Sequence, residues 1–144
     1  MSDDLLTHLS SLQFVRGDLM RLSFSSMAAI LFLQSGLDKV IHWRGEKTFL
    51  TGHFAKSILR GLVPFMLPVL TAVELAAGSL SAIGFFQVLL GTGKGAGTLG
   101  LFFGTAAIIL LFLGQRLAKD YAGAASLVPY FLLMAAGLYF FTGC

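Results

Sequence analysis

The stretch VPFMLPVLTAVELAAGSLSAIGFFQVLL, residues 63–90, carries a single charged side chain, Glu74, in an otherwise apolar and small-residue run. A helix crossing the hydrocarbon core of a bilayer needs about 20 predominantly apolar residues, and this run exceeds that length. It is therefore expected to span a membrane. Pro64 stands at its start and Pro68 one turn in, where a missing amide and a bulky ring weaken or bend the helix.

Three further runs of the same kind flank it, at residues 21–41, 98–113 and 122–141, the last interrupted by Pro129. The connections between them are short, so the expected fold class is all-α: one integral membrane four-helix bundle filling residues 1–144. Composition agrees. The chain has 144 residues, 56% hydrophobic and only 12% charged, with a mean hydropathy of +0.85, outside the balance of a water-soluble domain.

Ahead of the first span, Leu5, Leu6, Leu9 and Leu12 recur at helical spacing opposite Asp3, Asp4, His8 and Gln13. That pattern predicts a short amphipathic helix on the membrane surface. No basic region, short apolar core and small-residue cleavage site are seen there, so the first span is expected to act as an uncleaved insertion signal. After the first span, Phe49, Leu50, Phe54 and Ile58 interleave with Arg44, Lys47, Lys56 and Arg60, which predicts an interfacial segment packed across the mouth of the bundle. Residues 91–97 form a glycine-rich turn whose only charge is Lys94. It lacks the Gly-x-x-x-x-Gly-Lys-Ser/Thr order of a phosphate-binding loop.

Charge and cysteine usage exclude several classes. The net charge of +3 is scattered over short connections, without the basic stripe that nucleic-acid binding requires. Cys144 is the only cysteine, so the dithiol chemistry by which some four-helix membrane proteins reduce quinones is excluded. His42 and His53 fall at or beyond helix ends rather than deep on facing helices, so neither haem nor a structural metal is expected. Loops one and three hold Lys39, Arg44, Lys47, Lys56, Arg60, Arg116 and Lys119, against Arg16, Arg21 and Lys94 on the other side. The excess favours the cytoplasmic side for loops one and three, unless some of those cations serve a binding site.

Glu74 is the most informative residue. A carboxylate at the centre of a spanning helix costs about 2.5–3.5 kcal/mol on insertion scales and marks a functional site by default. Thr71, Glu74, Gly78 and Ser81 share one stripe of the second span, and Gly97, Gly100, Gly104 and Ala107 share one stripe of the third. Both stripes are expected to face neighbouring helices. Measured from the side of loops one and three, Gln34, Glu74 and Tyr130 lie roughly 12–15 Å deep at the helical rise, with Thr105 near the same level.

That convergence predicts a site in which Glu74 bonds to Gln34 or to the Tyr130 hydroxyl. An apolar setting favours the uncharged form of a carboxyl group, which makes Glu74 a candidate proton carrier. The alternative is a structural glutamate that ties helices together. Nearer the surface, Asp38, Lys39 and His42 on the first span and Arg116, Lys119 and Asp120 in the third loop form an expected charged vestibule for an anionic or quinone-like head group. The competing expectation is that Lys39, Arg116 and Lys119 reach toward lipid phosphates. The candidate ligand-binding residues are thus Gln34, Asp38, Lys39, Glu74, Arg116, Asp120 and Tyr130.

Three stretches carry a family resemblance: residues 32–43 (FLQSGLDKVIHW), with Gly36 and Lys39 in a Gly-x-x-Lys arrangement; residues 73–85 (VELAAGSLSAIGF), with a glutamate and spaced glycines; and residues 114–130 (GQRLAKDYAGAASLVPY). Over residues 21–141 the chain resembles the DoxX/DoxD family of small bacterial and archaeal membrane proteins. The resemblance implies four transmembrane helices, a bacterial inner-membrane location and, since DoxD-type members are subunits of a thiosulfate:quinone oxidoreductase, a quinone-linked role beside a redox partner subunit. No haem, flavin or iron–sulfur motif is present, so the redox centre is expected on the partner and the only bound cofactor expected is a quinone. Two other classes fit a buried carboxylate beneath charged groups: a proton-coupled small-molecule transporter, which four short spans would favour only as a homo-oligomer, and a structural membrane scaffold.

Overall fold

The computed structural model describes the backbone of residues 2–59 and 61–142 and, within them, the side chains from Gly17 onward. Arg60, Cys144 and the side chains of residues 2–16 lie outside the described residues. In chain order the elements are α1 (Ser2–Ile41), α2 (Trp43–His53), α3 (Val63–Leu90), α4 (Gly95–Leu117), α5 (Tyr121–Ser126) and α6 (Val128–Thr142). Four segments are long and apolar enough to cross a membrane: Gly17–Ile41, Val63–Leu90, Gly95–Leu117 and Tyr121–Thr142. The chain is an all-α four-helix bundle.

The amphipathic segment expected at residues 2–15 is helical but not separate. It runs without a break into the first span as part of α1, since no proline stands between Ser2 and Ile41 to stop the helix. At the other end of α1 the chain turns at His42 (φ −107°, ψ 39°) into α2. Helical bonding carries across that turn, with His42 N–H donating to the Asp38 carbonyl and Glu46 N–H to the His42 carbonyl, both at 2.9 Å. The third span is longer than expected at both ends. The fourth breaks at Leu127, whose N–H bonds the Ala124 carbonyl at 3.1 Å, because Pro129 has no N–H to offer the preceding turn.

The spans pack in antiparallel register. On α1 and α3, Gly36 lies against Leu75 and Leu33 against Gly78; on α3 and α4, Ser81 lies against Gly100; on α4 and α6, Leu101 lies against Gly137. Around the bundle the order is α1, α3, α4, α6, with α6 closing back on the first half of α1 through Phe24 and Arg21. Among the described residues, no Cα of α6 comes within 8 Å of one on α3. Those two helices lie on a diagonal.

Small residues make this packing possible. In hydrocarbon no hydrophobic driving force draws helices together, so association relies on close backbone approach and the van der Waals contact it allows. The two expected stripes do that: Thr71, Glu74, Gly78 and Ser81 on α3, and Gly97, Gly100, Gly104 and Ala107 on α4, are all buried. Phe32, Leu101 and Met134 fill the centre. Large apolar side chains such as Ile30, Phe65, Phe86, Leu90 and Phe102 face outward, the arrangement of a surface solvated by lipid tails.

Candidate functional site

Two polar groupings stand out against this apolar background. The first joins α1 to α3. Glu74 is 1% exposed, and Lys39 Nζ sits 3.1 Å from its Oε2 and 3.4 Å from its Oε1. The Ser35 hydroxyl donates to Glu74 Oε2 at 2.9 Å, while Lys39 Nζ donates to Ser35 Oγ, also at 2.9 Å. Carboxylate, ammonium and hydroxyl thus form a closed three-membered set.

Its partners are not those expected for Glu74. Gln34 and Tyr130 are both exposed and neither bonds to it. Gln34 lies two residues from Phe32 and from Gly36, which face the interior. At about 100° per residue that places it on the opposite side of α1. Tyr130, expected at Glu74's depth, sits on α6, the helix diagonal to it. Thr105, expected near the same level, bonds its own helix at the Leu101 carbonyl, 2.8 Å away. Ser35 and Lys39, by contrast, are one helical turn apart and continue the face of Phe32 onto Glu74.

The vestibule also separates. Asp38 is exposed. Lys39 turns inward to Glu74, and the Arg116 guanidinium lies over the Tyr121 ring, 4.6 Å from its centroid, an arrangement in which the ring face attracts the cation. Asp120 Oδ1 accepts the Gly123 N–H at 3.0 Å and so caps α5. Among the described residues, no hydrogen bond or ion pair joins Lys39 to Arg116 or Asp120.

The second grouping was not legible as a site beforehand. His53 Nε2 lies 2.7 Å from Gln115 Oε1 and 3.7 Å from Asp120 Oδ2. The end of α4 places these groups. Lys119 adopts φ 61°, the Lys119 N–H bonds the Arg116 carbonyl at 3.1 Å, and the Asp120 N–H bonds the Gln115 carbonyl at 2.9 Å. That paired closure of a helix C-terminus is ordinarily made by glycine. It brings Gln115 and Asp120 together, and both side chains meet His53. From the other side the His53 ring stacks on Phe49, with centroids 5.5 Å apart, and meets the edge of Phe54 at 5.0 Å.

His53 and Gln115 stand at the membrane-surface end of a cavity of about 280 Å³. Its walls run inward along α3 through Leu67 and Leu70 and along α4 through Leu110 and Leu111, and its rim includes the outward-facing Phe65, Val69 and Leu113. The interfacial segment expected across the mouth of the bundle provides the cover: Phe54 is buried and packs near Gly114. Comparison with family models, with curated proteins and with solved structures finds no match to this chain.

Proposed function

We propose that the chain is a small subunit of a quinone-linked oxidoreductase of the bacterial inner membrane, as the DoxX/DoxD resemblance implies. The quinone head group would sit at the polar end of the cavity beside the His53–Gln115 pair, with its isoprenoid tail along the leucine walls toward the lipid. The cavity carries this reading: it is apolar throughout except for two hydrogen-bonding side chains at one end, the pattern that suits a carbonyl-bearing ring on a hydrocarbon chain. Imidazole and carboxamide can each bond a quinone oxygen. The electrons come from a redox centre on a partner subunit. The ligand assignment moves accordingly from Gln34, Tyr130 and Glu74 to His53 and Gln115; Asp120 faces His53 but does not line the cavity.

Purification in mild detergent followed by solvent extraction and mass spectrometry tests this. Quinone is expected in wild type and in Glu74→Gln, and is expected to be lost in Gln115→Leu, together with co-purification of a redox subunit with wild type. Absence of both quinone and redox subunit would overturn the proposal. The buried Lys39–Glu74 pair favours one other reading, a proton-coupled transporter. Its signature would be uptake into proteoliposomes driven by a pH gradient and abolished by Glu74→Gln.

A further inference from the structure

Reduction of a quinone consumes protons as well as electrons. Two electrons and two protons convert each quinone to a quinol, with an O–H bond formed at each carbonyl oxygen. The electrons come from the partner's flavin, haem or iron–sulfur centre on the proposed reading, but the protons must reach a ring seated against apolar walls. Glu74 cannot deliver them there, because it does not line the cavity and its oxygens face Lys39 and Ser35. Among the described residues lining the cavity, His53 is the only titratable one.

We propose that His53 is the proton donor to the bound head group and that Asp120 relays protons to it from water; this rests on the quinone reading above. The geometry has the parts of a relay. His53 is 21% exposed and Asp120 36% exposed at their side chains, so the carboxylate, in the connection between α4 and α5, is the more open of the two. Asp120 Oδ1 is occupied by the Gly123 N–H, which leaves Oδ2, the oxygen nearest His53 Nε2, free to exchange a proton. Gln115 is neutral and bonds the same ring nitrogen, Nε2, at 2.7 Å, which holds that nitrogen beside Asp120. Phe49 and Phe54 close the remaining faces without contributing charge.

In each transfer the Nε2–H bond of His53 breaks, an O–H bond forms on the reduced ring oxygen beside it, and the same nitrogen of the neutral imidazole regains its proton from water by way of Asp120. Two such cycles supply the two protons, the ring turning its second oxygen to His53 between them. General acids positioned in this way contribute about 10²–10⁴ in rate.

The full chain in lipid nanodiscs loaded with a short-tailed ubiquinone allows the test, with an electrode standing in for the partner's redox centre and film voltammetry reading the rate of proton-coupled reduction. Wild type should bind the quinone and slow in D₂O. His53→Gln, which keeps a hydrogen-bonding side chain, should still bind it but reduce it about a hundredfold more slowly. Added imidazole should restore the rate of His53→Ala. Asp120→Asn, which keeps the α5 cap and lies outside the cavity lining, should slow reduction with binding unchanged, and it decides the matter if His53 variants fail to bind or fold. Wild-type rates in quinone-loaded His53→Gln and Asp120→Asn would overturn the proton role while leaving quinone binding intact. A wild-type protein that binds no quinone would overturn both.

Discussion

Breaking the Lys39–Glu74 pair from either side should give unequal losses. Lys39→Met leaves a carboxylate 1% exposed, held only by the Ser35 hydroxyl at 2.9 Å. An uncompensated buried charge of this kind costs about 3–5 kcal/mol, which is roughly two to three and a half powers of ten in the unfolding equilibrium. Glu74→Gln is milder. Its carboxamide still accepts from Ser35, and the orphaned ammonium, already 13% exposed near the end of its span, can extend its flexible stem toward the head groups; the expected loss is about 1–3 kcal/mol. The double variant Lys39→Met with Glu74→Leu removes both charges and fills the space with hydrocarbon, so it should lie within about 1 kcal/mol of wild type or above it. Unfolding by denaturing detergent in mixed micelles, followed by circular dichroism, measures all three. A Lys39→Met variant within about 0.5 kcal/mol of wild type, or a double variant no better than Lys39→Met, would refute the pairing.

Gly78→Ala would place a Cβ 2.7 Å from the Leu33 backbone nitrogen, forcing α1 and α3 apart at an expected loss of about 1–3 kcal/mol; Gly114→Ala, whose Cβ meets Phe54 at an ordinary 3.5 Å, should stay within about 0.5 kcal/mol in the same unfolding assay. Lys119→Gly should raise stability by about 1 kcal/mol, because it relieves a left-handed conformation at φ 61° that a side chain disfavours; the measured change in unfolding midpoint checks it.

Much of the fold could be read directly. Residues 63–90 have one charge in 28 positions, and hydrocarbon tolerates few backbone arrangements other than a helix. The buried stripes of α3 and α4 follow from the same logic, since Glu74 and the small residues must avoid lipid while Ile, Leu and Phe need not. Pro129 announced its break for the same kind of local reason. The site was only half legible. Glu74 is identifiable as a buried carboxylate, and the signal for its partners is that Phe32, Ser35 and Lys39 follow one face at three- and four-residue steps; depth alone points instead to Gln34 and Tyr130. His53 and Gln115 carried a weaker signal: a histidine in an aromatic interfacial segment and an amide at the end of a span on the same side of the membrane.

The existence of each spanning helix and the face it must hide are local properties of the chain. Those follow from the transfer energy of single side chains and from a fixed rotation per residue, and need no knowledge of neighbours. Which hidden faces meet was decided only in the tertiary structure. Depth along the membrane normal put Gln34, Glu74 and Tyr130 at one level, but contact also requires adjacency and a particular rotation of each helix about its axis. Both are set by where glycines let backbones close in. They placed α6 diagonal to α3 and turned Gln34 to the lipid, and the turn at Lys119 brought Gln115 and Asp120, distant in sequence from His53, to the same ring.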